Sequence, residues 1–342
     1  MKKSLLKKVV ILLVVLSVIG VTLIGCGKKK EAANNSTAYE TLDIKYQGWT
    51  GQVTIAELAE DLGYLKPLKL KWVGNTISGP QDIQSVATGD IDIGAAFGTA
   101  IVNLKASGAP ITWVINSSGN DEKTYSEIDV LSDSPIKTAS DLIGKKIAVN
   151  TLAAHNEILI KEYLKKNGLT DDDIKKVSLV VLPPVNQEQA LRNHQVDAAV
   201  LGGLFKDKAY AAGGIRGLTS DYKTWGPRAS SGLVINNKFI KNNPNTTKKL
   251  VEGIAKAIEW SKSTPIDQVR QRMSDIIKKR QRNENDSAIA YFKGYGVPEK
   301  GGLSSDKEIQ LWIDTLVKNG SLKKDQIKPS DIYTNKFNPY NN

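Results

Sequence analysis

The chain has 342 residues, 40% of them hydrophobic and 24% charged, the composition of a globular protein with room for about two domains and not of a disordered or fibrous chain. Its formal charge of +11 raises the question of a nucleic-acid partner, but no RNA- or DNA-binding motif is present. One cysteine and two histidines, His155 and His194, exclude an intramolecular disulfide framework, a cysteine-based zinc knuckle and a His-rich metal site.

Lys2, Lys3, Lys7 and Lys8 precede an almost uninterrupted apolar run over residues 9–24. The run falls just short of the ~20 residues that a spanning helix needs. A charged start, a short apolar stretch and a small residue at its end read as an export signal. An uncleaved anchor helix is the competing reading, and the position of the one cysteine decides between them. Leu23-Ile24-Gly25-Cys26 resembles the lipobox of bacterial lipoproteins. The resemblance implies a signal over residues 1–25, acylation of Cys26 and a place on the extracytoplasmic face of the cell membrane. Lys28, Lys29 and Lys30 would then meet anionic head groups, and residues 26–41 would form a polar tether. In that compartment no nucleic-acid partner is expected.

Residues 42–46 alternate as a strand, and Val53, Ala56, Leu58 and Leu62 mark a helix that stops at Gly63. Residues 68–73 predict a second strand, and Ser78-Gly79-Pro80 the capped start of a helix reaching Gly89. A third strand over 91–95, a short helix over 99–106 and a fourth strand over 111–115 follow. The alternation then recurs, with a strand in 140–149, a helix over 155–167 stopped by Gly168, and a strand, a helix and a strand over 177–182, 187–192 and 196–201. Residues 83–95 and 188–199 share a layout in which a helix stops at a turn and enters a strand through an apolar-Asp-apolar step. Two α/β lobes with parallel sheets covered on both faces follow from this pattern. Residues 231–235 read as a returning strand, and 243–262, 265–279, 286–295 and 304–318 as helices, with caps at Asn243 and Ser304.

The telling stretches are Ser140-Asp-Leu-Ile-Gly-Lys-Lys-Ile-Ala-Val-Asn-Thr151 with Ala153-Ala154-His155, Gly89-Asp-Ile-Asp-Ile-Gly94, and Glu188-Gln-Ala-Leu-Arg192 before Val196-Asp-Ala-Ala199. Through them the chain from about Leu42 onward resembles the solute-binding proteins of bacterial ABC importers of the nitrate, sulfonate and taurine type, which include thiamin-pyrimidine-precursor binders. The resemblance implies the type II periplasmic-binding-protein fold, α/β, with two lobes, two crossing segments and a ligand cleft between them. The crossings would fall near residues 125–131 and 230–235. Residues 42–125 plus 232–342 would form lobe 1 and residues 126–231 lobe 2. It further implies a non-enzyme without cofactor or metal, acting as a monomer. Such a protein captures a small anionic or zwitterionic solute, an aliphatic sulfonate, taurine or nitrate, by hinge closure and delivers it to a permease with its ATPase. A binder of a neutral heterocycle such as a thiamin pyrimidine precursor, or a pyrimidine-synthesis-like enzyme on this fold, is the alternative. A lipid anchor speaks against the enzyme, which would work in the cytoplasm.

In open α/β sheets ligands bind beyond the carboxyl ends of the strands, which selects residues 47–52, 78–79, 97–99 and 150–155. Free backbone N–H groups at helix starts there suit an anion. Gly51 and Gly98 allow close approach, and Gln47, Gln52, Ser78, Thr99 and Thr151 can donate hydrogen bonds; Thr50 and Phe97 belong to the same loops. Each residue alone also reads as an ordinary turn or cap, and it is the four loops together that point to a cleft. Trp49 reads equally as a stacking surface or a core aromatic. His155, at a helix start that favours a neutral ring, is expected to hydrogen-bond the ligand, and His194 to face solvent. Arg228, after Trp225-Gly226-Pro227, is the arginine best placed to pair a sulfonate or carboxylate, although a surface arginine is the other reading. Arg270, Arg272, Arg280 and Arg282 read as a solvated basic face. Gly-x-Ser-x-Gly and His-Glu-x-x-His are absent, and Gly144-Lys145 lacks the upstream glycine of a phosphate loop because position 139 is Ala.

Overall fold

The computed structural model describes residues 38–341. The expected signal over 1–25, Cys26 and most of the 26–41 tether lie outside the described residues. In chain order the strands are β1 (Asp43–Gly48), β2 (Lys69–Asn75), β3 (Ile93–Phe97), β4 (Ile111–Asn120), β5 (Ser126–Leu131), β6 (Lys146–Val149), β7 (Ser178–Val181), β8 (Ala198–Gly202), β9 (Ile215–Ser220) and β10 (Arg228–Asn236). They form two five-stranded sheets, ordered β2-β1-β3-β10-β4 and β7-β6-β8-β5-β9.

The sheets share one topology. In each, neighbours pair in parallel except at the fourth strand, β10 in one and β5 in the other, which is antiparallel to both its neighbours. The sequence pattern predicts wholly parallel sheets, and the reversed strand has a simple cause. Each is the first strand laid down after the chain changes sheet, so it enters from the edge where the parallel strands end and must run away from it. The chain passes to the second sheet over residues 121–125 and returns through Gly226 and Pro227. The return strand belongs to the first sheet from Arg228, which pairs with Asn120, so the expected lobe change at 231 falls inside β10.

Local sequence explains most elements. Thr54 and Glu57 form a capping box at the start of the Ile55–Asp61 helix, and Ser305, one residue beyond the expected Ser304, forms another with Glu308. Within residues 140–149 only Lys146–Val149 is strand; a 3-10 turn at Ser140–Leu142 and Gly144 at φ 75° precede it. Residues 286–295, expected to be a helix, hold only a 3-10 turn at Ile289–Tyr291. Strand β9 and the Gly203–Ala211 helix carry too weak a period to be read from sequence. Apolar clusters cover both faces of each sheet. One joins Ile44, Leu58, Leu250 and Ile254 on the first sheet, another Ile128, Ile147, Leu159 and Leu164 on the second. Among the described residues no helix is long and apolar enough to cross a membrane.

Candidate functional site between the two sheets

A cavity of about 330 Å³ lies between the sheets. Its walls follow from the topology. The carboxyl ends of the parallel strands reach it at Gln47, Phe97, Asn120, Asn150 and Gly202, and the reversed strands reach it with their starts, Ser126 and Ser230. The same edge of each sheet therefore faces the cavity, as the rule for open α/β sheets requires.

Of the residues singled out in the sequence, Gln47, Trp49, Gln52 and Phe97 line this cavity. Thr50 instead accepts a hydrogen bond from Asn75 Nδ2 at 3.0 Å on the outer side of its loop. Gly51, at φ 71°, donates its N–H to Glu284 at 2.6 Å. Ser78 caps the Gly79–Thr88 helix and leaves the wall to Gly79. Gly98 packs against Trp312, where a Cβ would approach the indole to 2.4 Å, and Thr99 is buried beside it. Thr151 is half-buried outside the lining, and His194 is exposed.

His155 and Arg228 sit behind the wall. The His155 ring stacks on Phe97 with centroids 4.0 Å apart, meets the Trp225 and Trp312 rings, and places Nε2 3.0 Å from Asp221 Oδ2. Arg228 lies over the same two indoles and donates to the Trp225 carbonyl at 2.6 Å. Burial pulls its guanidinium down to about 10, against the attraction of Asp221, which still leaves it charged at neutral pH. The two residues join the sheets through an aromatic box, and Phe97 and Asp221 are the members of that box that reach the cavity.

Sequence reasoning missed the residues that hold the 49–52 loop. Arg280 and Arg282, read as a solvated face, have buried side chains. Each donates to Glu57 Oε1 at 3.0 Å, where Tyr46 Oη also donates at 2.7 Å. Arg280 then reaches the Gln52 carbonyl at 2.8 Å and grips Glu284, whose Oε2 takes the Gly51 N–H. Burial alone would lower the Arg280 guanidinium, but the Glu284 hydrogen bond and the two carboxylates keep it above its ordinary value. No sequence signal marks the cause, which is Gln281: its left-handed φ of 49° ends the helix and folds Arg282 back onto Tyr46 and Trp72.

The remaining lining is mostly apolar, and its polar groups include no basic one. Among the described residues that border the cavity there is no Lys, Arg or His, while Asp82 and Asp221 are both present. Away from this lining the lobes meet through Lys293 and Asp207 at 2.8 Å, and Lys318 and Glu162 at 2.7 Å form a second ion pair between them.

Two lobes of this topology with a cavity at their facing edges have the periplasmic-binding-protein fold. The chain belongs to the NMT1/THI5 like family, whose profile matches residues 52–267. An Escherichia coli protein named for binding aliphatic sulfonates is 28% identical over 179 residues, 52% of this chain and 54% of that protein, so the match spans about half its length. A Brucella abortus protein named as a binding protein is 25% identical over 269 residues, 75% of this chain and 78% of its own. Among solved structures, the periplasmic aliphatic sulphonate binding protein SsuA from Escherichia coli has a TM-score of 0.61 at 20% identity, over 84% of this chain and 90% of that one. The periplasmic nitrate-binding protein NrtA from Synechocystis has 0.65 at 13% identity, over 88% of each. These structures share the fold, and the relatives named are binding proteins, not enzymes.

Proposed function

We propose that this chain is the extracytoplasmic solute-binding component of an ABC importer, held to the membrane at Cys26, which encloses a small solute between its lobes and presents it to a permease. One observation carries the reading. The cavity is walled by both sheets at once, so it exists only while the lobes are together, and two short crossings are the covalent links between those sheets. Binding energy gained from both walls is then available to drive closure. Gln47, Trp49, Gln52 and Phe97 are the ligand contacts we assign from the sequence candidates. The relatives named for sulfonates make an anion the first solute to try.

The test is a thermal-shift series on residues 27–342 with hexanesulfonate, taurine, nitrate and small nitrogen heterocycles. A solute at 100 times its Kd stabilises by ~2.7 kcal/mol. Steady consumption of any of these compounds by the purified protein would favour the enzyme instead.

A further inference from the structure

A second cavity, of about 470 Å³, lies between the lobes and backs onto the first. Tyr125, in the outgoing crossing, borders both, and neighbouring residues of two segments alternate between them. Phe205 lines the first cavity and Lys206 and Asp207 the second; Phe292 lines the first and Lys293 the second. The wall of the second is basic, with Lys206, Arg270 and Lys293 set against Asp207, its one carboxylate among the described residues. A single Asp207 oxygen serves Lys293 at 2.8 Å and Lys206 at 3.5 Å, although the two lysines come from different lobes. Lys206 is 3% exposed and held 3.3 Å over the Tyr125 ring, so it contributes charge and not contact. Lys293 and Arg270 are open to solvent, their side chains 45% and 28% exposed. Arg270 uses Nε on the Phe292 carbonyl and Nη1 on Asp267. Neither its Nη2 nor the Tyr291 hydroxyl has a partner among the described residues. Glu127 and Asp129 lie behind Tyr210, whose hydroxyl meets both. Burial, with Glu127 beside it, holds Asp129 up at about 8, uncharged at neutral pH.

We propose that this second cavity is an anion site, taking a phosphate or carboxylate group of a free small molecule on Lys293 Nζ, Arg270 Nη2 and the Tyr291 hydroxyl, and that its occupant holds the lobes together. The site goes beyond the importer reading and needs of it only that the lobes can part. Cations of both lobes converge here only while the lobes are together, and they share one carboxylate in the wall. An anion relieves that crowding of like charge and gains charge-assisted hydrogen bonds from the two exposed cations. Because the two cavities share Tyr125 and the 203–207 and 290–295 segments, and both need the lobes together, occupancy of either favours the other.

The experiment is a thermal-shift titration of residues 27–342 with sodium phosphate and with citrate, at an ionic strength held constant with sodium chloride, followed by small-angle scattering at saturation. At least one anion is expected to raise the melting temperature saturably and to make the molecule more compact. Lys293→Gln combined with Arg270→Gln should raise the midpoint concentration about tenfold or more. No saturable rise beyond chloride would overturn the proposal. An equal midpoint in the double variant would do the same, since the anion then sits elsewhere, the first cavity included. Saturable binding without compaction would overturn the bridging role. If the double variant folds poorly, Arg270→Gln alone, which leaves Lys293 on Asp207, should still raise the midpoint, and an unchanged midpoint there would count against the site. None of these failures touches the importer reading, which is tested on solutes of the first cavity.

Discussion

His155 and Phe97 stack with ring centroids 4.0 Å apart and planes 9° from parallel, and they come from different lobes: Phe97 ends β3 of the first sheet, and His155 opens the His155–Lys166 helix packed on the second. One face of Phe97 therefore rests on the other lobe while the residue borders the cavity. A solute that touches Phe97 touches one of the contacts that hold the lobes together.

His155→Ala should lower stability by ~2–4 kcal/mol, because it removes an aromatic stack and strips Asp221 Oδ2 of its buried partner. Urea denaturation of the unliganded protein measures the loss. Phe97→Leu should cost less stability and more affinity, since Leu fills part of the box without presenting a ring to the cavity. If His155→Ala melts like wild type yet loses its solute, the ring acts on the ligand directly and the wall must be redrawn.

Glu284→Ala should loosen the 49–52 loop. It frees the Gly51 N–H and leaves Arg280 with Glu57 as its one remaining carboxylate partner. Hydrogen exchange at Gly51 and Gln52 is expected to accelerate, and solute affinity to fall with it, while exchange in β6 and β8 stays unchanged. Arg280→Met is the harsher change, ~3–5 kcal/mol, since it leaves two buried carboxylates short of a partner. Unaltered exchange in Glu284→Ala would show that the loop holds itself.

Asp82 makes the unliganded protein less stable as pH rises. Burial raises its folded-state pKa to about 7, against ~3.9 in the unfolded chain. Between these values the folded state binds more protons, so the contribution of Asp82 is fully present below about pH 4 and is lost as pH rises through about 7. Asp82→Asn keeps an acceptor for the Ala95 N–H and removes the charge. It should therefore be more stable than wild type by ~1–4 kcal/mol at pH 8, with the gap closing toward pH 4. A gap that is constant with pH would place the carboxyl in contact with water.

Cys26→Ala should leave the precursor unprocessed, with residues 1–25 still attached. Mass spectrometry of the membrane fraction reads both the cleavage and the acyl chains; one chain holds a protein only marginally, so stable retention needs more than one. Normally cleaved, lipid-labelled Cys26→Ala would refute the anchor.

The parts of the site that were legible in the sequence lie where a strand ends and a loop begins: Gln47, Trp49, Gln52 and Phe97. There the alternation, the turn residues and the strand-end rule agree. Ser230 and Ser231 were not legible as site residues, because they start a reversed strand, and period-2 patterning is blind to strand direction. Asp82 looks in sequence like an ordinary acid in a first helical turn. Its weight comes from the close approach of that turn to Gly94 and Ala95, where Gly94 has no room for a Cβ. Arg280 and Arg282 were misread because a helical pattern shows which residues are charged but not that a left-handed Gln281 turns the chain inward. His155 was visible as a helix start, but its partners come from three distant segments that pattern reasoning cannot bring together.

Closure of the lobes on a solute is the centre of this account, and the chain suits a direct measurement. Residues 27–342 contain no cysteine, so cysteines placed at the exposed positions Ile77 and Val185, one in each lobe, can be labelled cleanly for distance measurement by fluorescence or spin resonance. With the compound that most raises the melting temperature, the separation should shorten and its distribution narrow toward the state in which Lys293 meets Asp207. A separation that stays the same with and without that saturating compound would contradict the account.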